Sequence, residues 1–437
     1  MLTLGAVLDY EIDAMDVITA FLNGEIDCEV YVKHPPGFGT AKHPRDVLRV
    51  LRSVYGLKQA PRLWFQTLAT YLREQGYTQL VKDRCVFTKV MNGRSVYIGV
   101  YVDDLVIMAP TKDMMTAIKH GLSARFKMHD LGPLKFILGF HIVRDRSQRT
   151  LTMHQSQYAT SILKRFSMEN SKPSPTPMEV NLKLSESMCP QDETERTYMV
   201  DKPYRSVVGS IMYLMISTQP DLAYVVQQLS QFLTNPGPAH WQAAKRALRY
   251  IRGTIDYGLV LGGEHNVTTP LHAFADSDYA NCVDTRRCVA GFVTFYCDSA
   301  ISWIAKRLRS IVLSTTEAEL MILCTVAQEC LYIKQTAGEM GHPITSAITL
   351  HEDNQSTIQI VNNSGHHGRT KHIDVRYHFI NDLVEQQVFR LEYTDTRLQV
   401  ADIFTKPLDI TTFCALRSKL RVEQLQTSDP FGPRQGA

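Results

Sequence analysis

The chain has no Cys-x-x-Cys pair: its nine cysteines are scattered from Cys28 to Cys414. That spacing argues against a disulfide framework or a zinc site and reads as reduced, intracellular thiols. Charge of one dominant sign is also missing. Lys and Arg number 47 against 44 Asp and Glu, a net of +3, so nucleic-acid binding cannot rest on the total and must rest on local clusters. No apolar run approaches the ~18 residues of a membrane span, and no basic-then-apolar leader opens the chain. A soluble, non-secreted protein with no membrane partner is expected. What remains is an ordinary globular composition, 44% hydrophobic and 21% charged over 437 residues, enough for two or three domains with real cores.

The most informative feature is Tyr101-Val102-Asp103-Asp104, set between the apolar runs 96–100 and 105–108. Two adjacent acids at the tip of a hydrophobic hairpin repel, and a divalent cation is the usual reason to tolerate them. A type I turn that solvates both charges is the competing reading. Asp16 ends a strand-like run, and Phe21 follows five residues later. Asp16 could then stand beside Asp103 as a second metal ligand for phosphoryl transfer, with Phe21 beneath a bound sugar. A helix N-cap for Asp16 and a core aromatic for Phe21 are the alternatives.

The pattern predicts a helix face within residues 1–14, a strand, turn and helix over 15–23, and helices at 61–75 and 112–128. A second hairpin is expected from 134–143 and 151–153, turning at Arg144-Asp145-Arg146. The stretch from Ser171-Lys-Pro-Ser-Pro-Thr-Pro177 to Arg196 reads as a linker. Helices at 204–217, 220–233 and 238–253 lead to strands at 271–276, 290–297 and 310–314, a long helix at 315–340 and a strand at 347–353. That order predicts α/β with a mixed sheet. The tail after Leu408 is expected to be disordered.

A second set of acids lies in this latter part: Asp276, Glu319, Asp353 and Asp402. Two sit at strand ends and two on helices, the spread needed to bring four carboxylates to one point. Surface acids are the alternative for each, with Glu317 able to replace Glu319 and Asp278 able to be confused with Asp276. Lys245-Arg246-Arg249-Arg252 and Lys306-Arg307-Arg309 are basic clusters that could follow a nucleic-acid backbone or simply be solvated surface. His372 and His378 are six residues apart and would not share a helix face.

Met15-Asp16-Val17 with Thr19-Ala-Phe-Leu-Asn-Gly24, Val30-Tyr-Val32 with Pro35-Pro-Gly-Phe38, Val54-Tyr-Gly-Leu-Lys-Gln-Ala-Pro-Arg62 with Trp64, and Tyr101-Val-Asp-Asp104 resemble, in order and spacing, the reverse transcriptase of copia-type LTR retrotransposons. Asp284-Thr-Arg-Arg287, Ala300-Ile-Ser-Trp303 and residues 370–378, with the later acids, resemble the ribonuclease H of the same elements. The resemblance implies the C-terminal part of a Pol polyprotein. It implies an α/β chain, with an α+β palm over 1–155, a helical thumb or connection over 156–268 with a linker near 171–197, a ribonuclease H-like domain with a mixed sheet over 269–408, and a tail over 409–437. Cys288-Val-Ala290 departs from the small hydroxylated residues usual there.

By resemblance, Asp16, Asp103 and Asp104 are palm metal ligands. Phe21, Tyr55, Gly56, Lys58, Gln59 and Arg62 face nucleotide or template, and Leu138, Gly139 and Phe140 match a primer grip. Asp276, Glu319, Asp353 and Asp402 hold the nuclease metals. Magnesium is implied, with manganese as the alternative. RNA template, DNA primer, RNA–DNA hybrid and deoxynucleoside triphosphates are the implied partners, with integrase or other Pol segments. Location would be a cytoplasmic virus-like particle, or the nucleus. Only about a dozen residues precede Asp16, where the family carries nucleotide-holding fingers, so weak polymerisation and effective hybrid cleavage are expected. The rival function is a non-catalytic nucleic-acid-binding remnant of a degenerate element.

Overall fold

A computed structural model describes residues 1–37, 46–263, 270–362 and 371–425, with the side chains of 371–375 excepted. The chain divides into two compact units. The first comprises Met1, Leu8–Leu134 and Thr336–Pro343; the second comprises Leu2–Val7, Lys135–Gln335 and Ile344–Ala437. Among the described residues no helix is long and apolar enough to cross a membrane.

The first unit is built on a six-stranded antiparallel sheet in the order Thr78–Gln79, Val86–Met91, Arg94–Tyr101, Asp104–Ala109, Glu11–Val17 and Met128–Pro133. The helix expected over residues 1–14 stops at Val7, and Ile12 belongs to the Glu11–Val17 strand. Two helices cover the sheet. Ala60–Glu74 opens with Pro61, which needs no N–H partner in a first turn, and buries Ala60, Leu63, Trp64, Leu68 and Leu72, the i, i+3, i+4, i+8 and i+12 positions of one helix face. Lys112–Arg125 is capped by Thr111, whose hydroxyl accepts the Met114 N–H, and carries Asp113 and Arg125 at the ends that favour each charge. Met15, Val17, Trp64, Phe87, Ile98, Ile107, Leu122 and Phe126 form the buried core between sheet and helices. Residues 336–343 are held here by Tyr97, whose hydroxyl donates to the Met340 carbonyl at 2.7 Å.

The second unit holds two sheets. One is antiparallel, in the order Val422–Gln424, Tyr257–Gly262, Thr150–His154, Phe140–Asp145 and Phe136–Ile137. Arg144 and Asp145, expected in a turn, pair with Leu151 and Thr150, so the turn falls after them. The other is mixed: Ser299–Arg307, Val289–Tyr296 and Leu271–Asp278 are antiparallel neighbours, while Ile348–Glu352 and Phe389–Tyr393 join in parallel. Helices Tyr204–Met215, Pro238–Gly253 and Thr315–Glu339 match the sequence expectation closely, while the helix expected over 220–233 is α-helical at Ala223–Leu229 and flanked by 3₁₀ turns at Pro220–Leu222 and Ser230–Phe232.

Three expectations are corrected. The third strand is Ser299–Arg307, whereas 310–314 is a loop in which Leu313 is 85% exposed; its apolar run Ile311-Val312-Leu313 has no neighbouring strand to pair with. Residues 409–425 are ordered, with helix Ile410–Lys419 and strand Val422–Gln424, while 426–437 lie outside the described residues. The stretch read as a linker is folded. Ser174, Thr176 and Met178 are buried, the Ser174 N–H donates to the Arg249 carbonyl at 3.1 Å, and 193–200 is helical. The basic stripe on Pro238–Gly253 does this fastening: Arg246 reaches Glu179 and Thr176, each at 3.0 Å, Arg249 donates to the Lys172 carbonyl at 2.6 Å and Arg252 to the Glu169 carbonyl at 2.7 Å. Those guanidiniums are therefore committed to the chain itself rather than available to a nucleic-acid backbone.

Candidate metal and nucleic-acid sites

In the first unit the antiparallel register sets Asp16 opposite Asp104, and Asp104 pairs with Tyr101 to close the hairpin. The tip is made by Val102 in the left-handed region, φ +56°, and the Trp64 indole N–H donates to its carbonyl at 2.6 Å. The Val17 N–H donates to the Asp103 carbonyl at 2.9 Å. These bonds fix the backbone that carries the acids. Burial, then Asp103 and Asp16, raise the Asp104 carboxyl above its ordinary range.

Around this hairpin Phe21 is 8% exposed and belongs to the core. Its ring lies 4.4 Å from that of Tyr55, which is 58% exposed, so Tyr55 is the aromatic surface an incoming group would meet. The Tyr55 hydroxyl reaches the Asp103 carboxylate at 3.5 Å, and burial followed by Asp103 raises its pKa. Gly56 adopts φ +98°. Lys58 is exposed, Gln59 contacts the Cys28 sulfur at 3.6 Å, and Arg62 is ion-paired with Asp27 at 2.6 Å.

The second unit gathers its acids more tightly. Asp276, Asp353 and Asp402 bring carboxylate oxygens within 4.8 Å of one another, and so do Glu319, Glu352 and Asp353. Asp16, Asp103 and Asp104 are not gathered to that distance. Asp276 comes from strand Leu271–Asp278, Glu352 ends strand Ile348–Glu352 with Asp353 just beyond, Glu319 lies in the first turns of Thr315–Glu339, and Asp402 begins the short helix Asp402–Thr405. Strand alternation directs Asp276 to the face opposite the buried Ala273 and Ala275.

Neighbours hold each acid in place. Thr405 donates its hydroxyl to Asp276, the Ser277 N–H donates to Glu319 at 3.2 Å, the Asn354 N–H to Glu352 at 2.9 Å, and the Thr396 hydroxyl to Asp353 at 2.8 Å. Lys406 sits 2.9 Å from Asp402 and 3.9 Å from Asp276. Burial, with Glu352 and Asp276 next, pushes Glu319 well above the usual carboxylate range. Burial does the same to Glu352 and brings Asp402 to about 7. Against its own burial, Lys406 is held charged by Asp276 and Asp402.

Glu317 serves the helix start instead. Its N–H donates to the Ser314 hydroxyl at 3.1 Å and its carboxylate accepts the Leu313 N–H at 2.9 Å, leaving Glu319 as the acid in the cluster. Asp278 bonds Asn281 and is outside both acid groups. Glu352, Lys406, Thr405 and Thr396 were not singled out from sequence. Glu352-Asp353 is an acid doublet at a strand end, the same signal that marked Asp103-Asp104, and Lys406 stands one helical turn after Asp402.

Leu138 and Gly139, with φ +50° and +85°, form the turn between Phe136–Ile137 and Phe140–Asp145. The Tyr213 hydroxyl donates to the Leu138 carbonyl at 3.0 Å, and its ring stacks on Phe140 at 6.3 Å. His378 is exposed on the Lys371–Glu385 helix; the side chain of His372, and Phe38 and Thr370 altogether, lie outside the described residues.

Residues 1–180 match the family model described as Reverse transcriptase (RNA-dependent DNA polymerase). The chain is 39% identical over 93% of its length to a retrovirus-related Pol polyprotein from transposon TNT 1-94 of Nicotiana tabacum, of which it spans 30%. It is 31% identical to a transposon Ty5-1 protein of Saccharomyces cerevisiae, covering 70% of this chain and 96% of that one. Among solved structures, a foamy viral protease-reverse transcriptase in complex with double-stranded DNA superposes with a TM-score of 0.51 at 11% identity, covering 90% of this chain and 59% of that one. This last likeness is one of fold.

Proposed function

We propose, from the premise that this chain belongs to the copia-type retrotransposon Pol polyproteins, that its two acid centres serve RNA-directed DNA synthesis and cleavage of the RNA strand in RNA–DNA hybrids. Its domains follow as a palm, a thumb or connection region and a ribonuclease H-like domain. Hybrid cleavage is the activity the geometry supports best. The observation that carries it is the convergence of Asp276, Asp353 and Asp402, with Glu319 and Glu352, from four different elements.

The donor set fits hard divalent cations. Every candidate ligand atom is a carboxylate oxygen, and one oxygen each of Glu319 and Glu352 is buried with no hydrogen-bond partner. Asp276, Glu319, Asp353 and Asp402 would hold magnesium or manganese, and Glu352 would complete the inner wall. Cations bound there supply activation of water and neutralisation of a phosphodiester. The chain's own residues do the rest. Thr405, Ser277 and Thr396 fix the carboxylate orientations, and Lys406 holds Asp402 and Asp276 in reach of one another. In the palm, Asp16, Asp103 and Asp104 would hold the corresponding cations, Tyr55 over Phe21 would present the face to a nucleotide sugar, and Leu138 to Phe140 would support a primer end.

The test is a paired assay in magnesium: cleavage of a labelled RNA–DNA hybrid, and primer extension with deoxynucleoside triphosphates on an RNA template. Hybrid cleavage is expected, with extension the weaker of the two because the palm acids are less gathered. Absence of cleavage in both magnesium and manganese would favour a nucleic-acid-binding remnant.

A further inference from the structure

The second unit opens into a cleft of about 800 Å³ between the end of strand Ser299–Arg307, helix Thr315–Glu339 and helix Lys371–Glu385. Lys306, Arg307, Arg309 and Arg376 all line it, and among the described residues no acid does. Arg307 is turned to Gln231 at 2.6 Å and Lys306 to the Thr325 hydroxyl at 3.4 Å. Among the described residues no carboxylate pairs with Arg309 or Arg376 in the way Asp27 pairs with Arg62. Burial, then Arg309 and Arg376, lower the Lys306 pKa. The end of strand Ser299–Arg307, the loop after it and helix Lys371–Glu385 thus bring like charges to one concave space, an arrangement that an anion would stabilise. Ser310, Gln328 and the Phe379 ring supply neutral donors and an aromatic face to the same wall.

We infer that this cleft is a binding site for the phosphodiester backbone of a nucleic-acid strand, with Arg309 and Arg376 as its phosphate contacts. This rests on the reading of the second unit as a hybrid nuclease. Helix Thr315–Glu339 carries Glu319 in the acid centre and then Met321, Cys324, Thr325 and Gln328 on the cleft. A strand held in the cleft is therefore positioned by the same helix that presents a catalytic acid. The cleft is too large and too open for a single phosphate, and the aromatic edge suits a base or sugar beside the backbone. Arg309 and Arg376 act as positioning residues on the cleft wall.

The test measures hybrid affinity of the full chain by fluorescence anisotropy in EDTA across a salt series, alongside cleavage at saturating hybrid. Arg309→Ala with Arg376→Ala is expected to weaken binding at least tenfold. It should also flatten the dependence of log K on log salt by roughly 1.5, since each lost phosphate contact removes about 0.7–0.9. The loss of cleavage should be largest at limiting hybrid and smaller at saturation, and the double Arg→Lys variant should recover most of the affinity. Arg309→Glu alone, on an exposed loop, covers the case in which the double variant unfolds. Lys164→Ala with Arg165→Ala, exposed and outside the cleft, controls for general loss of charge. An unchanged affinity and slope in the cleft variants, or an equal loss in the control pair, would overturn the inference. Intact binding with no wild-type cleavage would instead sink the nuclease reading and leave the cleft standing.

Discussion

The two acid centres solve the same electrostatic problem differently. In the first unit, Asp103 and Asp104 are partly solvated at a hairpin tip, and the protein spends its bonds on the backbone beneath them through Trp64 and Val17. In the second unit Asp276, Glu319, Glu352 and Asp402 are at most 4% exposed, and the protein spends its bonds on the carboxylates and places Lys406 among them. An exposed acid pair is stabilised by water whether or not a cation arrives. A buried cluster is not, and its raised pKa values record the cost.

The sharpest way to break this comparison is Asp276→Asn. Hybrid cleavage should fall by on the order of 10²–10³ or more, with binding of the hybrid kept; cleavage within tenfold of wild type would mean the cluster is not the working centre. Next comes Lys406→Met, which leaves Asp402 and Asp276 buried without their cation. In EDTA at pH 8 it should cost about 3 kcal/mol in urea unfolding, and added magnesium or manganese should recover part of that.

Smaller is the effect of pH itself. Carboxyls that hold protons more tightly when folded than when unfolded favour the folded state at low pH. Metal-free stability should therefore decline as pH rises from the ordinary carboxylate value of about 4 towards the raised values, about 7 for Asp402. Glu352→Gln should blunt that decline, and so should divalent cation; a melting temperature in EDTA that rises from pH 5 to 8 would contradict the burial argument. The smallest expected change is in the first unit. Trp64→Phe removes one hydrogen bond to Val102, worth about 1 kcal/mol, and should alter unfolding without any dependence on added metal.

Much of this was legible in the sequence for a physical reason. Helices such as Ala60–Glu74 and Thr315–Glu339 carry strong apolar runs, and the acids fall at element ends where periodicity breaks. What was not legible depended on tertiary partners. Residues 171–177 have the composition of a linker, and only the guanidiniums of Arg246, Arg249 and Arg252, some 70 residues on, turn them into structure. Residues 310–314 carry the apolar run Ile311-Val312-Leu313 of a short strand but have no neighbour to pair with. Lys406 is an unremarkable surface residue by pattern until Asp276, far away in sequence, is brought beside it.

The fastening of residues 169–179 by helix Pro238–Gly253 bears on how such a chain could be divided. Proteases and cloning boundaries are drawn to proline-rich polar stretches, and this one looks like an invitation. Its backbone carbonyls are gripped from the far side, however, and Ser174, Thr176 and Met178 face inward. Severing it would not release two modules from a tether; it would strip a seam from one of them, leaving three arginines with nothing to grasp and an apolar wall open to water.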